Sequence, residues 1–538
     1  MSFAFLGVVN ISRAKKYFIN ALVLSGASII LRAISVSFNA HISTLIGPTG
    51  MGLIALCSGV FGFAITFACS GINLAIVKLI SSDMARGGEK SGSIVRDGVF
   101  YSLLFSLTAL IILTSSSRII GGHILGDERL IPCIRIFAFS LPAISLSSVL
   151  NGYFCAVRRS FKNVFIQFAE QGVKLIAISY LLSLLLPSGI SGSCVAVVLG
   201  GVIGEIGSLI ISVILFCFDR KKHPFYSEKE ENNAHRGAFK SICSVSLPVA
   251  ISAYVRSALS TVEHLAIPWG LKKYGLDFDK AISSYGVLHA MAVPILLFPS
   301  AILGAFSSLL IPELSEAHAC GDTRRIRRIV SRVFALSLLF SVGVSGIFSA
   351  YSREIGFLLY KNHEVGVYIH TLAPLIPLMY LDGAVDSMLK GLGEHLYTMR
   401  VNISDSIISI LLILFLLPRG GIMGYVCVIF ITEVINTSFS IIKLLEITKA
   451  KTPLKKWIFS PLLSIILSTL IVRFLFDFKI MNFFFGIVNG GRVFVFTEVL
   501  LTAFFYIIIS YLTGGISKED VYPFKKMILN LRKRRKAL

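Results

Sequence analysis

Charge is what this sequence has least of. Only 15% of its 538 residues are Asp, Glu, Lys or Arg, whereas soluble domains carry about 25%. A water-soluble enzyme of this length would need a far more charged surface, so an ordinary cytosolic protein is excluded, and so is a disordered chain. Acid is scarcer than base, with 29 Asp and Glu against 51 Lys and Arg and a net charge of +22. The nine cysteines are odd in number and scattered (57, 69, 133, 155, 194, 217, 243, 320, 427), mostly in apolar runs. No CxxC pair or Cys/His ligand spacing occurs, so neither a disulfide framework nor a metal site is expected; the thiols read as small buried hydrophobes. P-loop, GxSxG and HExxH patterns are missing and the histidines are dispersed, so no enzyme and no cofactor is expected.

What is present is apolar sequence: 55% hydrophobic residues and a mean hydropathy of +0.81. A spanning helix needs about 20 mostly apolar residues. Apolar runs at 17–38, 50–76, 97–115, 131–156, 164–186, 194–218, 241–266, 282–311, 331–351, 367–389, 402–417, 422–445, 457–476 and 493–513 read as fourteen transmembrane helices of an all-α polytopic membrane protein. The first run follows Arg13, Lys15 and Lys16 like a signal peptide, but it is too long and lacks a small-residue cleavage site, so it reads as a retained span.

Basic residues test the count, because cytoplasmic loops are enriched in Lys and Arg. With a cytoplasmic N-terminus, 36 of the 51 fall in cytoplasmic segments and 10 in outer loops. Five lie within spans: Arg32, Arg135, Lys174, Arg256 and Arg473. One miscounted span would invert every later loop, so fourteen spans with both termini cytoplasmic is the expectation. The run Arg532, Lys533, Arg534, Arg535, Lys536 is then one cytoplasmic cluster among several. It points to anionic membrane lipids rather than nucleic acid.

The two halves are related. VKLISSDMARG at 77–87 falls opposite IPELSEAHACG at 311–321, IRIFAFSLP at 134–142 opposite IHTLAPLIP at 369–377, and LLPSGISG at 185–192 opposite LLPRGGIMG at 416–424. ILRAIS at 30–35 resembles YVRSALS at 254–260, which places Arg32 opposite Arg256. The repeat covers six spans, giving an N-terminal six-helix lobe (1–218), a cytoplasmic linker (219–240), a second six-helix lobe (241–447), and two appended helices with a basic tail (448–538). Two parallel copies would face each other about an axis along the membrane normal, with a substrate site between them near the midplane.

Ionisable residues inside spans are costly and normally face water or a partner. Arg32 and Arg256 lie deep in the first and seventh spans. As permanently charged forks they would attract a diphosphate in a low-dielectric cleft. Glu263 shares the helical face of Arg256. It and His264 are candidates for a coupling or cavity charge, as is Asp386, which sits in a row with Asp382 and Lys390. Glu170 and Lys174 read as an intrahelical ion pair, and Asp405 and Glu433 as isolated charges. The cytoplasmic loops are too short to fold an ATPase domain, so transport energy must come from an ion gradient, the membrane potential, the cargo's own gradient or other subunits.

Fourteen spans in two six-span lobes plus a pair resemble the multidrug/oligosaccharidyl-lipid/polysaccharide exporter superfamily. Within it, GASIILRAISVSFNAHISTLIGPTGMGLIAL, SGINLAIVKLISSDMARG and AISAYVRSALSTVEHLAIPWGLKKYG are similar to the stage V sporulation protein B and polysaccharide-biosynthesis flippase family. That resemblance implies a flippase in the bacterial cell membrane. It would move a polyprenyl-diphosphate-linked sugar, such as lipid II or a polysaccharide precursor, to the outer leaflet for wall, spore-cortex or surface polysaccharide synthesis. It also implies enzymes of cell-wall synthesis as partners, and basic residues in a central cavity. Arg32 stands where the first of these falls, Phe38 occupies the following basic position, and Asn39 replaces an acid as a further cavity residue. Two other readings remain: a cation-coupled multidrug exporter on the same fold, which would carry an acidic cavity, and a non-transporting scaffold of wall synthesis.

Overall fold

A computed structural model of the chain describes residues 3–84, 91–222, 235–450, 455–477 and 491–515. The basic run at 532–536 and the middle of the linker, 223–234, lie outside the described residues. Every regular element described is helical. In chain order these are α1 (Phe3–Cys69), α2 (Ile72–Met84), α3 (Ser91–Arg118), α4 (Leu130–Ala156), α5 (Ser160–Leu185), α6 (Gly189–Lys222), α7 (His235–Lys273), α8 (Phe278–Tyr285), α9 (Val293–Leu297), α10 (Ser300–Ala319), α11 (Thr323–Tyr360), α12 (His363–Leu372), α13 (Ile376–Gly391), α14 (His395–Thr448), α15 (Ser460–Asp477) and α16 (Gly491–Leu512). This is the all-α polytopic fold that the apolar runs require, since a helix satisfies its own backbone polar groups in hydrocarbon.

Among the described residues, eleven helical segments are long and apolar enough to cross a membrane. Three of them, Gly26–Met84, Phe161–Asp219 and His395–Thr448, run for 59, 59 and 54 residues. At about 1.5 Å per residue each is more than twice the roughly 30 Å of a hydrocarbon core. Each breaks near its middle: α1 at Gly47, before Pro48, the α5–α6 pair at Leu186–Ser188, and α14 at Gly421, after Pro418. The two turns aligned by the internal repeat have similar backbones, with Gly189 at φ 80, ψ −163 and Gly421 at φ 57, ψ −143. Only glycine adopts that region without strain, so the matching glycines mark matching turns.

The apolar run read as one span at 282–311 is broken. α8 continues into a π-helical segment, Gly286–Ala292, then α9, and stops at Phe298–Pro299 before α10 begins. Pro294 and Pro299 remove two backbone donors there.

The helices pack as two units, Met1–Met291 with Asn402–Ile429, and Ala292–Val401 with Phe430–Leu538. In the first, Ile72, Ile76 and Ile80 of α2 pack with Tyr101, Val149, Phe154, Ile166 and Ile242. In the second, Leu314, Val330, Phe334, Leu381, Val385 and Leu444 surround Trp457. Lipid tails are as apolar as leucine, so association in a bilayer relies on close approach and interhelical hydrogen bonds. Ser145 of α4 supplies such bonds, donating to the carbonyl of Ala68 at 2.9 Å and meeting Ser102 Oγ at 3.0 Å. The nine cysteines are free thiols.

Candidate functional site

Arg32 is exposed on α1, within an apolar segment. It makes no hydrogen bond or ion pair among the described residues. Counting by helical turns, Ser28, Arg32, Ser35 and Asn39 form one stripe, and the first three are exposed. Arg256 on α7 is likewise exposed and likewise without a partner among the described residues. Ser260, also exposed, follows one turn later on its face, and Glu263 a further turn on. In the register that pairs Arg32 with Arg256, Ser28 pairs with Ser252 and Asn39 with Glu263. Two helices thus carry similar polar stripes through apolar segments.

The C-terminal half of α7 lies antiparallel against the second part of α1. Thr66 donates to Ser257 Oγ at 3.1 Å, and Thr261 donates to the Gly59 carbonyl at 2.9 Å. Small residues permit this closeness: a Cβ on Gly59 would sit 3.1 Å from the Cβ of His264. The π-helical segment is held as tightly. A Cβ on Gly286 would come within 2.3 Å of the Pro48 carbonyl oxygen, and one on Gly52 within 2.2 Å of the Ile282 carbonyl oxygen. Asn39 donates its side-chain amide to the carbonyl of Ala290 in that segment at 3.0 Å. π-Helical turns recur at functional sites, and this one is anchored by a residue of the polar stripe.

Glu263 does not pair with Arg256. Its Oε1 accepts a hydrogen bond from Ser409 of α14 at 2.7 Å. Asp405, one turn before Ser409, is near enough to Glu263 to interact electrostatically, and its Oδ1 is buried without a hydrogen-bond partner. Tyr425, beyond the α14 break, also feels the Glu263 charge. Next to Glu263, His264 Nδ1 meets the hydroxyl of Tyr285 at 3.1 Å. The rings of His264 and His289 lie edge to face with centroids 4.7 Å apart, and Tyr285 stacks on His289 at 5.2 Å. Neither carboxylate has a Lys or Arg in ion-pair contact among the described residues.

Asp386 belongs to the second unit, where Lys390 approaches it at 3.5 Å. One turn earlier, Asp382 accepts from Asn436 at 3.5 Å. Glu170 and Lys174 do not form the intrahelical ion pair their spacing suggests. Glu170 also interacts with Ser208 of α6, a partner that spacing along α5 could not reveal. Among the sequence-derived candidates, Glu263 and His264 join one cluster, while Asn39 ties α1 to the segment that carries His289. Sequence reasoning missed Tyr285, His289, Ser409 and Tyr425, which converge from elements far apart in the chain. Among the described residues no group of three or more His, Cys, Asp or Glu is arranged to hold a metal ion.

Comparison with known proteins places this geometry in context. The profile of the family described as polysaccharide biosynthesis protein matches residues 18–318, which include Arg32, Asn39, Arg256, Glu263 and His264. Stage V sporulation protein B of Bacillus subtilis is 26% identical over 420 residues, covering 76% of this chain and 80% of that protein. A structure of the lipid II flippase MurJ in an inward closed conformation superimposes with a TM-score of 0.65 at 14% identity, covering 91% of this chain and 98% of that one. An inward-facing multidrug resistance MATE family transporter of the MOP superfamily gives 0.58 at 14% identity, covering 79% and 100%. The chain is therefore a multi-pass membrane protein with the fold of that superfamily.

Proposed function

Because the chain belongs to the polysaccharide biosynthesis protein family, we propose that it is a flippase that carries a polyprenyl-diphosphate-linked sugar across the bacterial cytoplasmic membrane by alternating access. The observation that carries this reading is the state of Arg32 and Arg256: both exposed inside apolar segments, neither neutralised by an acid among the described residues. A charged arginine at mid-bilayer costs about 2.5–3.5 kcal/mol even on insertion scales, so exposed guanidinium groups there belong in a wet cleft and not against lipid. Their use is to replace the hydration of a diphosphate, which cannot cross hydrocarbon unaided.

In this reading the chain makes fourteen spans, each of the three long kinked helices counting as two, with both termini cytoplasmic. Two six-helix lobes, 1–218 and 241–447, present Arg32 and Arg256 to a shared cleft. The diphosphate sits between the arginines, forked by both, while the polyprenyl tail stays in the bilayer through a gap between helices. Rocking of the lobes then changes which face the cleft opens to. Moving an anionic head outward is favoured by an inside-negative potential, by about 2.3 kcal/mol per charge per 100 mV. Glu263, His264 and Asp386 serve coupling or cavity electrostatics, anionic lipids contact the cytoplasmic basic clusters, and cell-wall synthesis enzymes supply or receive the cargo.

Reconstitution tests this. Arg256→Ala should abolish leaflet transfer of a fluorescent polyprenyl-diphosphate glycolipid in proteoliposomes while the protein stays folded; unchanged transfer removes Arg256 from the mechanism. Mass spectrometry of lipids that copurify separates the readings. A bound polyprenyl-diphosphate sugar supports the flippase, whereas transfer of organic cations with no such lipid supports drug export on the same fold.

A further inference from the structure

The titratable groups around His264 come from four elements, and among the described residues none of these groups is a lysine or arginine; the charge on their side of α7 is Arg256, two turns before Glu263. α7 supplies Glu263 and His264, α8 supplies Tyr285, the π-helical segment supplies His289, and α14 supplies Asp405 and Tyr425. Against His264 the neighbouring stretch of α1 packs Gly59, which carries no charge. Glu263 interacts with Asp405, Tyr285 and Tyr425, and its hydrogen bond comes from the neutral hydroxyl of Ser409. Two interacting carboxylates are thus linked through Tyr285 to two imidazoles, with no lysine or arginine in ion-pair contact among the described residues. Such a group of side chains in low dielectric needs a mobile positive charge to balance it.

The imidazole pair is built to take that charge as a proton. Edge-to-face rings with centroids 4.7 Å apart repel strongly if both are cations, so the pair accepts one proton and not two. The hydroxyl of Tyr285 engages His264 Nδ1, and Nε2 of that ring has no hydrogen bond among the described residues. His289 makes ring contacts with both neighbours but no hydrogen bond among the described residues. An imidazole without hydrogen-bond partners among the described residues, set beside a second imidazole, has a ring nitrogen open to a proton. Its backbone lies in the π-helical segment Gly286–Ala292, whose Ala290 carbonyl is held by Asn39. Gain of a proton at His289 would therefore be felt by the first span as well as the seventh.

We propose that His264 and His289 form a binding site for one exchangeable proton, and that this proton is the coupling ion of the transport cycle. The coupling rests on the flippase reading above; the proton site does not. Ring-nitrogen NMR of the full chain in lipid nanodiscs, with labelled histidine, reads the site directly. Between about pH 5 and 8 two ring signals should move together as a single proton is taken up. His264→Gln and His289→Gln should each leave the other ring titrating alone. Tyr285→Phe, which keeps the stacking but removes the hydroxyl, should displace the shared titration; an unchanged titration takes Tyr285 out of the site. Two rings that titrate independently, or that stay neutral throughout, overturn the proposal. Leaflet transfer in proteoliposomes reads the coupling. An inward proton gradient should accelerate wild-type transfer several-fold, and the ratio of rates with and without the gradient should fall to unity in both histidine variants. A retained ratio, or acceleration by a sodium gradient instead, refutes the coupling. If the wild type transfers no glycolipid at all, the flippase reading fails while the NMR result still decides the proton site.

Discussion

Arg129 reaches Asp279, 150 residues away in the chain, at 2.5 Å, and the same guanidinium holds Asp127 at 2.7 Å. The hydrogen bonds that Arg129 donates to Asp127, and then to Asp279, raise the pKa of its guanidinium above the ordinary value. The two acids differ in burial: the side chain of Asp279 is 58% exposed and that of Asp127 only 6%. The triangle ties the start of α4 to the first turn of α8.

Unequal burial implies unequal costs. Asp279→Asn should cost under about 1 kcal/mol, as exposed ion pairs do, and should fade in salt. Arg129→Ala should cost about 3 kcal/mol, because it leaves the buried Asp127 carboxylate without its cation. Thermal unfolding of the detergent-purified variants at low and high salt measures both, and equal costs would contradict the assignment.

Gly52 and Gly286 sit where added side chains would strike backbone oxygens at 2.2 and 2.3 Å. Alanine at either position should destabilise by about 1–3 kcal/mol through forced backbone shifts. Gly201 of α6 has nothing within 4 Å. Alanine there should instead stabilise by about 0.5–1 kcal/mol, the helix-interior difference between the two residues. The midpoints of the three variants should bracket the wild type.

Ser409 is the hydrogen-bond donor to Glu263. Ser409→Ala should cost about 1–3 kcal/mol by leaving a half-buried carboxylate oxygen unsatisfied. Glu263→Gln keeps an acceptor for Ser409 while removing a negative charge, so it should cost less. A larger loss in Glu263→Gln than in Ser409→Ala would mean that the charge itself, and not the hydrogen bond, holds α7 to α14.

Arg32 has no partner among the described residues, so Arg32→Ala should change stability by no more than about 0.5 kcal/mol. Transfer of the glycolipid should nevertheless fall by about tenfold or more, the value of a charge-assisted hydrogen bond to phosphate. Arg32→Lys should recover part of that loss, since lysine keeps the charge but not the fork. Asn39→Ala should behave the opposite way, losing about 1 kcal/mol of stability with its bond to Ala290.

Much of this was legible before any coordinates. The apolar runs announced helices, and the gaps between them at 39–49, 187–193 and 418–421 fall on the breaks at Gly47, Gly189 and Gly421, because loss of apolar sequence and a change of local backbone geometry coincide there. The run at 282–311 misled, since apolar composition does not register the break that Pro294 and Pro299 impose on the ladder of hydrogen bonds. The cluster around His264 was legible only in part. Glu263 and His264 are neighbours and stood out as charge within apolar sequence. Ser409 lies 146 residues from its partner, and no helical periodicity carries information over that distance. Asn39 was singled out for contact with cargo, yet its side-chain amide is already engaged by the Ala290 carbonyl, a contact made by tertiary folding.

The widened turn between Gly286 and Ala292 holds more residues per revolution than the helix on either side of it. It is a length of slack wound into a rigid rod. Were it to tighten to ordinary pitch, the rod would lengthen and everything on one side of the turn would swivel against the other, with no hydrogen bond surrendered to lipid for long. Residues attached to that stretch, His289 among them, would then exchange neighbours by rotation alone. A bilayer permits that kind of movement, because it never exposes bare backbone.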